Sequence, residues 1–221
     1  MLLEQALREA KPTNAMRDGD YHLLTPAGRE TLARYAGGGR VVFRVERAAD
    51  IRQVLALSAK HGFKPVIVGG AEAWVVASEL ARANVPVFVD TLVNLPGDFD
   101  QLGARLDNAA LLDRAGVRVG FSQAGDATHN ARKIRRLAGN AVAQGMRWDA
   151  ALAGLTRVPA DVFGLAQEGR IEVGASADLV LWSGDPLEIT TAPEAVWIDG
   201  RAQSMRSRQT ELRDRYLQRA G

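Results

Sequence analysis

The chain has 221 residues, 47% of them hydrophobic, and 28 basic against 26 acidic side chains. That is enough apolar material for a substantial core, while a net charge of +2 is too weak a field to suggest nucleic-acid binding. There is no cysteine, which excludes disulfides and thiolate metal sites, and no apolar run approaches the roughly 20 residues of a membrane span.

The opening stretch MLLEQALREAKP has no basic head and carries Glu4 and Glu9 where a signal peptide would be apolar, so a cytoplasmic protein is expected. Residues 1–10 read as an amphipathic helix with Leu2, Leu3, Ala6, Leu7 and Ala10 on one side, ended by Pro12. A second helix follows, capped by Thr25, with Pro26 at its first position and Gly37 to Gly39 beyond its end. Residues 1–39 thus form a helical segment without evident chemistry.

From Arg40 a repeating pattern sets in. RVVFRVE is a strand, Ala49 to His61 a helix, KPVIVGG a strand, AEAWVVASELARAN a helix and VPVFVD a strand. A long loop, LVNLPGDFDQLGA, leads to the helix RLDNAALLDRAG and the strand VRVGFS. Strands alternating with helices predict parallel βαβ units, and their continuous Val, Ile and Phe content predicts burial on both faces. Helices are expected over Asn130 to Gln144, Trp148 to Arg157 and Pro159 to Gly164. The pattern then changes: IEVGASADLVLWSGDPLE and AVWIDG read as short antiparallel strands, and Ser204 to Gln218 as a charged, solvated helix. The expected divisions are therefore 1–39, 40–165, 166–203 and 204–221.

Chemistry is expected in VRVGFSQAGDATHNAR, where a strand releases a polar loop into a helix, because α/β barrels hold their sites on such loops. Asp126 and His129 stand one turn apart, either as an acid–base or ligand pair or with Asp126 or Thr128 capping the next helix. Asn130 and Arg132 open that helix, where free N–H groups can bind an anionic or carbonyl group; a salt bridge to the neighbouring wall is the other reading for Arg132. Arg44 and Glu46 flank Val45 and so share a face of their strand, making them candidate substrate-binding groups. Charges buried on such a face need partners, and Arg44 is expected to pair with Glu46, Glu72 or Asp126. Asp90, Asp107 and Asn108 read as caps or turns, and Trp74, Trp148, Trp182 and Trp197 as packing residues.

The run ALAGLTRVPADVFGL, the turn GRIEVGASADLVLWSGDPLE and the closing AVWIDGR resemble the carboxyl end of the amidohydrolase superfamily, in particular its imidazolonepropionase-like branch. RVERAADI, PVIVGGAEAWVVA and FSQAGDATHNAR are similar to later strands of the same fold, so the resemblance extends from Arg40 to Arg201. It implies the later strands of a (β/α)8 barrel followed by part of a small β-sandwich, and a hydrolase acting on non-peptide carbon–nitrogen bonds with one or two divalent metals. In such a centre imidazole and carboxylate hold zinc and lower the pKa of a bound water to about 7.

Against that pattern, the fifth-strand histidine position falls on Arg44, a permanent cation, and the sixth on Gly69, which has no side chain. The eighth-strand aspartate falls on Gln123 or Ala124, with Asp126 displaced, and the first-strand histidine pair has no counterpart. The chain has only three histidines, two of them, His22 and His61, on a loop and a helix end. No metal cofactor is therefore expected. The expected protein is a ligand-depleted or truncated amidohydrolase, or a non-catalytic subunit pairing with an active homologue. A homo- or hetero-oligomer completing the barrel is the expected partnership, with a small-molecule substrate if active and no nucleic acid or membrane.

Overall fold

The computed structural model describes residues 2–11, 22–123, 131 and 133–219. Two short helices open the chain, α1 (Leu2–Glu9) and α2 (Pro26–Ala36). They are tied by Glu9, whose carboxylate accepts hydrogen bonds from the Leu23 and Leu24 N–H groups at 3.0 and 3.1 Å. Thr25 caps α2 as its sequence predicts, its hydroxyl accepting from Gly28 N at 3.1 Å.

The parallel sheet follows: β1 (Arg40–Val45), β2 (Lys64–Gly69), β3 (Val87–Val89) and β4 (Val119–Phe121), in that spatial order. All three pairings are parallel, with Arg40 beside Lys64, Ile67 beside Val87 and Val87 beside Val119. The connecting helices are α3 (Ala48–His61), α4 (Ala77–Arg82) and α5 (Asn108–Arg114). After them come α6 (Ile134–Ala143), α7 (Trp148–Leu155) and α8 (Arg157–Phe163).

One face of the sheet supplies Ile67, Val87, Val89, Val119 and Phe121 to a core shared with Ile51, Leu80, Leu112 and Leu137 from the helices. The other face meets α8, where Val158 and Val162 pack on Val66 and Phe88. Gly154 of α7 lies so close to β4 that a Cβ there would stand 2.7 Å from the Val119 carbonyl oxygen. On the opposite side β1 has no strand partner among the described residues, and its Val42 is 52% exposed. The parallel sheet, its helices and the small antiparallel sheet that follows form part of a (β/α)8-type barrel with an appended β unit.

The expected helix over 71–84 is divided, a 3-10 turn over Ala73–Val76 preceding α4. The Trp74 N–H bonds the Asn108 side chain at 3.1 Å, which engages a backbone donor near that turn with a group outside it. The closing β region is a three-stranded antiparallel sheet: β5 (Leu179–Trp182), β6 (Pro193–Ile198) and β7 (Arg201–Ala202). Ile171 and Val173, expected in a strand, are not in one; they are 91% and 107% exposed, with no neighbouring strand to complete a ladder. The last helix, α9 (Arg208–Arg219), begins later than expected, because Ser207 supplies its cap: its Oγ accepts from Thr210 N at 3.2 Å.

The small sheet is fastened to the barrel by Arg135 of α6. Its guanidinium donates to the carbonyls of Pro186 and Thr191 at 3.0 and 2.9 Å and lies 4.9 Å from the centre of the Trp182 ring. No described helix is long and apolar enough to cross a membrane.

His61 closes α3 with 6% exposure, and neither ring nitrogen has a hydrogen-bond partner. Burial, reinforced by Lys11, Lys60 and Arg8 and opposed by Glu4, pushes its pKa below the ordinary histidine range. The native state therefore prefers the neutral ring more strongly than the unfolded chain does. The stabilisation is fully present above the unfolded value of about 6.5 and is lost as pH falls below it. The urea midpoint is accordingly expected to fall between pH 7.5 and 5.5, and His61→Leu is expected to flatten that dependence; an unchanged slope in His61→Leu counts against the assignment.

Candidate functional site

The carboxyl ends of the four parallel strands open into one cleft, as expected for a barrel-type sheet. Glu46 follows β1, Gly69 ends β2, Asp90 follows β3, and Ser122 and Gln123 follow β4; with Arg44, Asn94, Gln101, Arg105 and Asn108 they line a narrow cleft with a cavity volume of roughly 30 Å³.

The floor of the cleft is set by Glu46 and Gly69. Gly69 has φ +94°, and a Cβ built on it would lie 2.3 Å from Glu46 Oε1 and 2.7 Å from Glu46 Cδ. The Glu46 carboxylate thus occupies the space that any side chain at position 69 would enter. It is held there by the Ala71 N–H, which donates to Oε2 at 2.9 Å, while the Glu46 carbonyl accepts from Glu72 N at 2.9 Å. Burial raises the Glu46 pKa above the ordinary carboxylate value. The Ala71 N–H, the Arg44 charge and the Gln101 side chain pull it back, and Asp98 adds to the rise.

The rim rests on two further side chains. Glu72 reaches back to the start of α3, Oε2 accepting from Ala48 N at 3.0 Å, in place of the side-chain cap that Arg47 lacks. Asn108 is buried and bridges the GG turn and the 3-10 turn that follows it: its Oδ1 accepts from Trp74 N at 3.1 Å and its Nδ2 donates to the Gly70 carbonyl at 2.9 Å. Trp74 in turn donates through Nε1 to the Gly103 carbonyl at 2.9 Å, and Arg105 lies 4.7 Å above its ring. Sequence reading takes Asn108 for a cap and finds no signal for this bridge, which joins segments 34 and 38 residues away.

The expected site residues divide into two groups. Arg44 and Glu46 do share a face and a cleft. Of the carboxylates with which Arg44 is expected to pair, Glu46 and Glu72 form no ion pair with it and Asp126 lies outside the described residues; the Arg44 side chain is exposed and acts on Glu46 only at longer range. The physical reason is that both described carboxylates already have a backbone donor, Ala71 N for Glu46 and Ala48 N for Glu72. Asp126, His129, Asn130 and Arg132 lie outside the described residues.

The zinc centre implied by the resemblance does not fit the described part of this cleft. Its donor positions carry a guanidinium at Arg44 and, at Gly69, a backbone already overlain by the Glu46 carboxylate. Among the described residues no three His, Cys, Asp or Glu side chains are grouped as a metal site. What the cleft offers is two guanidinium groups, two carboxyls, of which burial shifts Glu46 toward its protonated form, and amide side chains.

A family model described as the amidohydrolase family matches residues 127–202. Amidohydrolase tasK from Hapsidospora irregularis is 44% identical over 75 residues, which is 34% of this chain and 8% of that protein. The crystal structure of an amidohydrolase from Thermotoga maritima superposes with a TM-score of 0.75 at 27% identity, covering 86% of this chain and 50% of the other. Atrazine chlorohydrolase TrzN from Arthrobacter aurescens, solved with zinc, shares the fold at TM-score 0.55 and 18% identity over 85% of this chain and 49% of its own. The chain spans about half the length of these solved relatives. In strand order and closing sheet, and by these similarities, the chain resembles proteins of the amidohydrolase superfamily.

Proposed function

We propose that this chain is the carboxyl-terminal half of an imidazolonepropionase-like hydrolase for non-peptide carbon–nitrogen bonds, and that its share of the cleft grips substrate by charge and hydrogen bonding instead of through a metal. The observation that carries this reading is the Glu46 carboxylate seated over Gly69, in the space a ligating side chain would need. Arg44, exposed and without an ion pair among the described residues, supplies the anchor for a carboxylate or carbonyl oxygen. Glu46, its pKa raised by burial, is placed to exchange a proton with a carbonyl oxygen or leaving nitrogen seated beside it. Asp126 and His129 follow the cleft-lining Gln123 by three and six residues, which supports an acid–base role at the mouth.

The test is calorimetric titration with a carboxylated cyclic amide, pyroglutamate, before and after Arg44→Ala. A hydrogen bond to a charged group is worth about 1.5–3 kcal/mol, so binding is expected to weaken tenfold or more. Binding unchanged in Arg44→Ala would overturn the anchor role. Chelation with EDTA is expected to leave the affinity unaltered, whereas an affinity abolished by EDTA and restored by zinc would sink the metal-free reading.

The open edge of β1, with Val42 half exposed, favours a second reading: a non-catalytic subunit whose barrel is completed by a homologous polypeptide. Sedimentation of the purified chain distinguishes the two, since a monomer that binds pyroglutamate needs no partner.

A further inference from the structure

The opposite end of the parallel sheet carries a second polar pocket, independent of the cleft. Arg40 and Lys64 are register partners at the amino ends of β1 and β2. Arg118 precedes β4, where its carbonyl accepts from Val87 N at 3.0 Å. Side chains alternate along strands, and residues 40, 64 and 118 fall on the same face as Val66 and Phe88, the face that meets α8. The three cations line a pocket of about 400 Å³ together with Asn84, Pro65 and Pro86. No carboxylate among the described residues lines it.

The cations are positioned rather than loose. Arg40 donates to the Asp161 carbonyl at 3.2 Å, and Arg118 donates to the Asn84 carbonyl at 3.3 Å. Asp161, the acidic residue that touches Arg40, turns its carboxylate to Arg170 at 2.5 Å and leaves the pocket's charge uncompensated. The Arg118 Nε–H is buried without an acceptor in an otherwise half-buried side chain, so this guanidinium is underpaired. Three like charges around one space raise a positive potential within it, and guanidinium forks match tetrahedral oxyanions in geometry as well as charge.

We propose that this pocket binds a phosphate group, with Arg118 and Arg40 as hydrogen-bonding anchors and Lys64 as a flexible countercharge at the rim. A dianionic phosphate balances most of the charge of the three cations and supplies acceptors that the pocket's own side chains do not.

The probe is inorganic phosphate at millimolar concentration, read by the thermal unfolding midpoint of the full chain and by phosphorus NMR line broadening. Sodium chloride and sodium acetate at equal ionic strength are the controls. Phosphate is expected to raise the midpoint saturably where chloride and acetate do not, since a ligand that binds only the folded state stabilises it by mass action. Arg118→Gln is expected to abolish the shift, and Lys64→Gln, an exposed position that leaves packing intact, to weaken binding about fivefold. Arg213→Gln, which removes an exposed charge on α9 outside the pocket's lining, is expected to leave it unchanged. Equal stabilisation by chloride or acetate would overturn the proposal. So would wild-type phosphate affinity in a folded Lys64→Gln variant, or an unbroadened phosphorus signal with the wild type. A phosphorylated sugar binding more tightly than free phosphate through the same residues would identify a phosphate monoester as the source of the group.

Discussion

Gly69→Ala is expected to destabilise the protein by about 2–4 kcal/mol in urea unfolding. Two effects add. At φ +94° a side chain strains the backbone, at a cost of about 1–3 kcal/mol for a sparsely populated region. The new Cβ also meets Glu46 Oε1 at 2.3 Å, so the carboxylate must leave, and its bond from Ala71 N, worth about 1 kcal/mol, goes with it. A double-mutant cycle separates the two. In an Glu46→Ala background the collision is gone and only the backbone strain remains, so the penalty of Gly69→Ala is expected to fall by about 1–2 kcal/mol. Wild-type stability in Gly69→Ala, or a penalty independent of residue 46, would disprove the account. A corollary is that histidine at position 69 does not recreate a zinc ligand unless Glu46 is shortened as well.

Asn108→Ala is expected to cost about 2–5 kcal/mol, measured as a loss of urea unfolding free energy. Asn108 is 4% exposed and satisfies the Trp74 N–H and the Gly70 carbonyl at once. Removing it strands both groups, and a stranded buried polar group costs about 1–3 kcal/mol. Asn108→Asp discriminates between lost volume and lost bonding. It keeps the shape and the acceptor for Trp74 N but cannot donate to the Gly70 carbonyl when ionised, so it too is expected to destabilise. An Asp variant as stable as the wild type would show that the Gly70 bond contributes nothing.

The repeating scaffold is legible in the sequence because each unit announces itself locally. VVFRV, VIV and VFV are apolar runs too short for helices, and Thr25-Pro26 marks a helix start by capping chemistry. The division of 40–165 into strands and helices follows from that alternation. What was not legible depends on contacts between distant segments. Ile171 and Val173 have strand composition, but a strand exists only where a partner lies alongside, and none does. Arg44 and Glu46 were placed correctly on one face, yet their pairing was not decided by that face: Ala71 N–H had already engaged the Glu46 carboxylate. Gly69 could be read as a missing ligand, whereas the reason it must be glycine lies in its φ and in the carboxylate above it. Asn108 looks like a helix cap because the sequence does not reveal that the GG turn and Trp74 come to it.

Arg135 couples two parts of the chain that the sequence presents as separate. It sits one residue into α6, and its guanidinium is shared by two backbone carbonyls of the 183–192 connection and the Trp182 indole of the small sheet. The appended sheet therefore works as a clamp on the start of α6. A premature stop codon after residue 178 would spare every strand of the parallel sheet, yet it would remove Trp182, Pro186 and Thr191 and so release Arg135, more than 40 positions upstream in the chain.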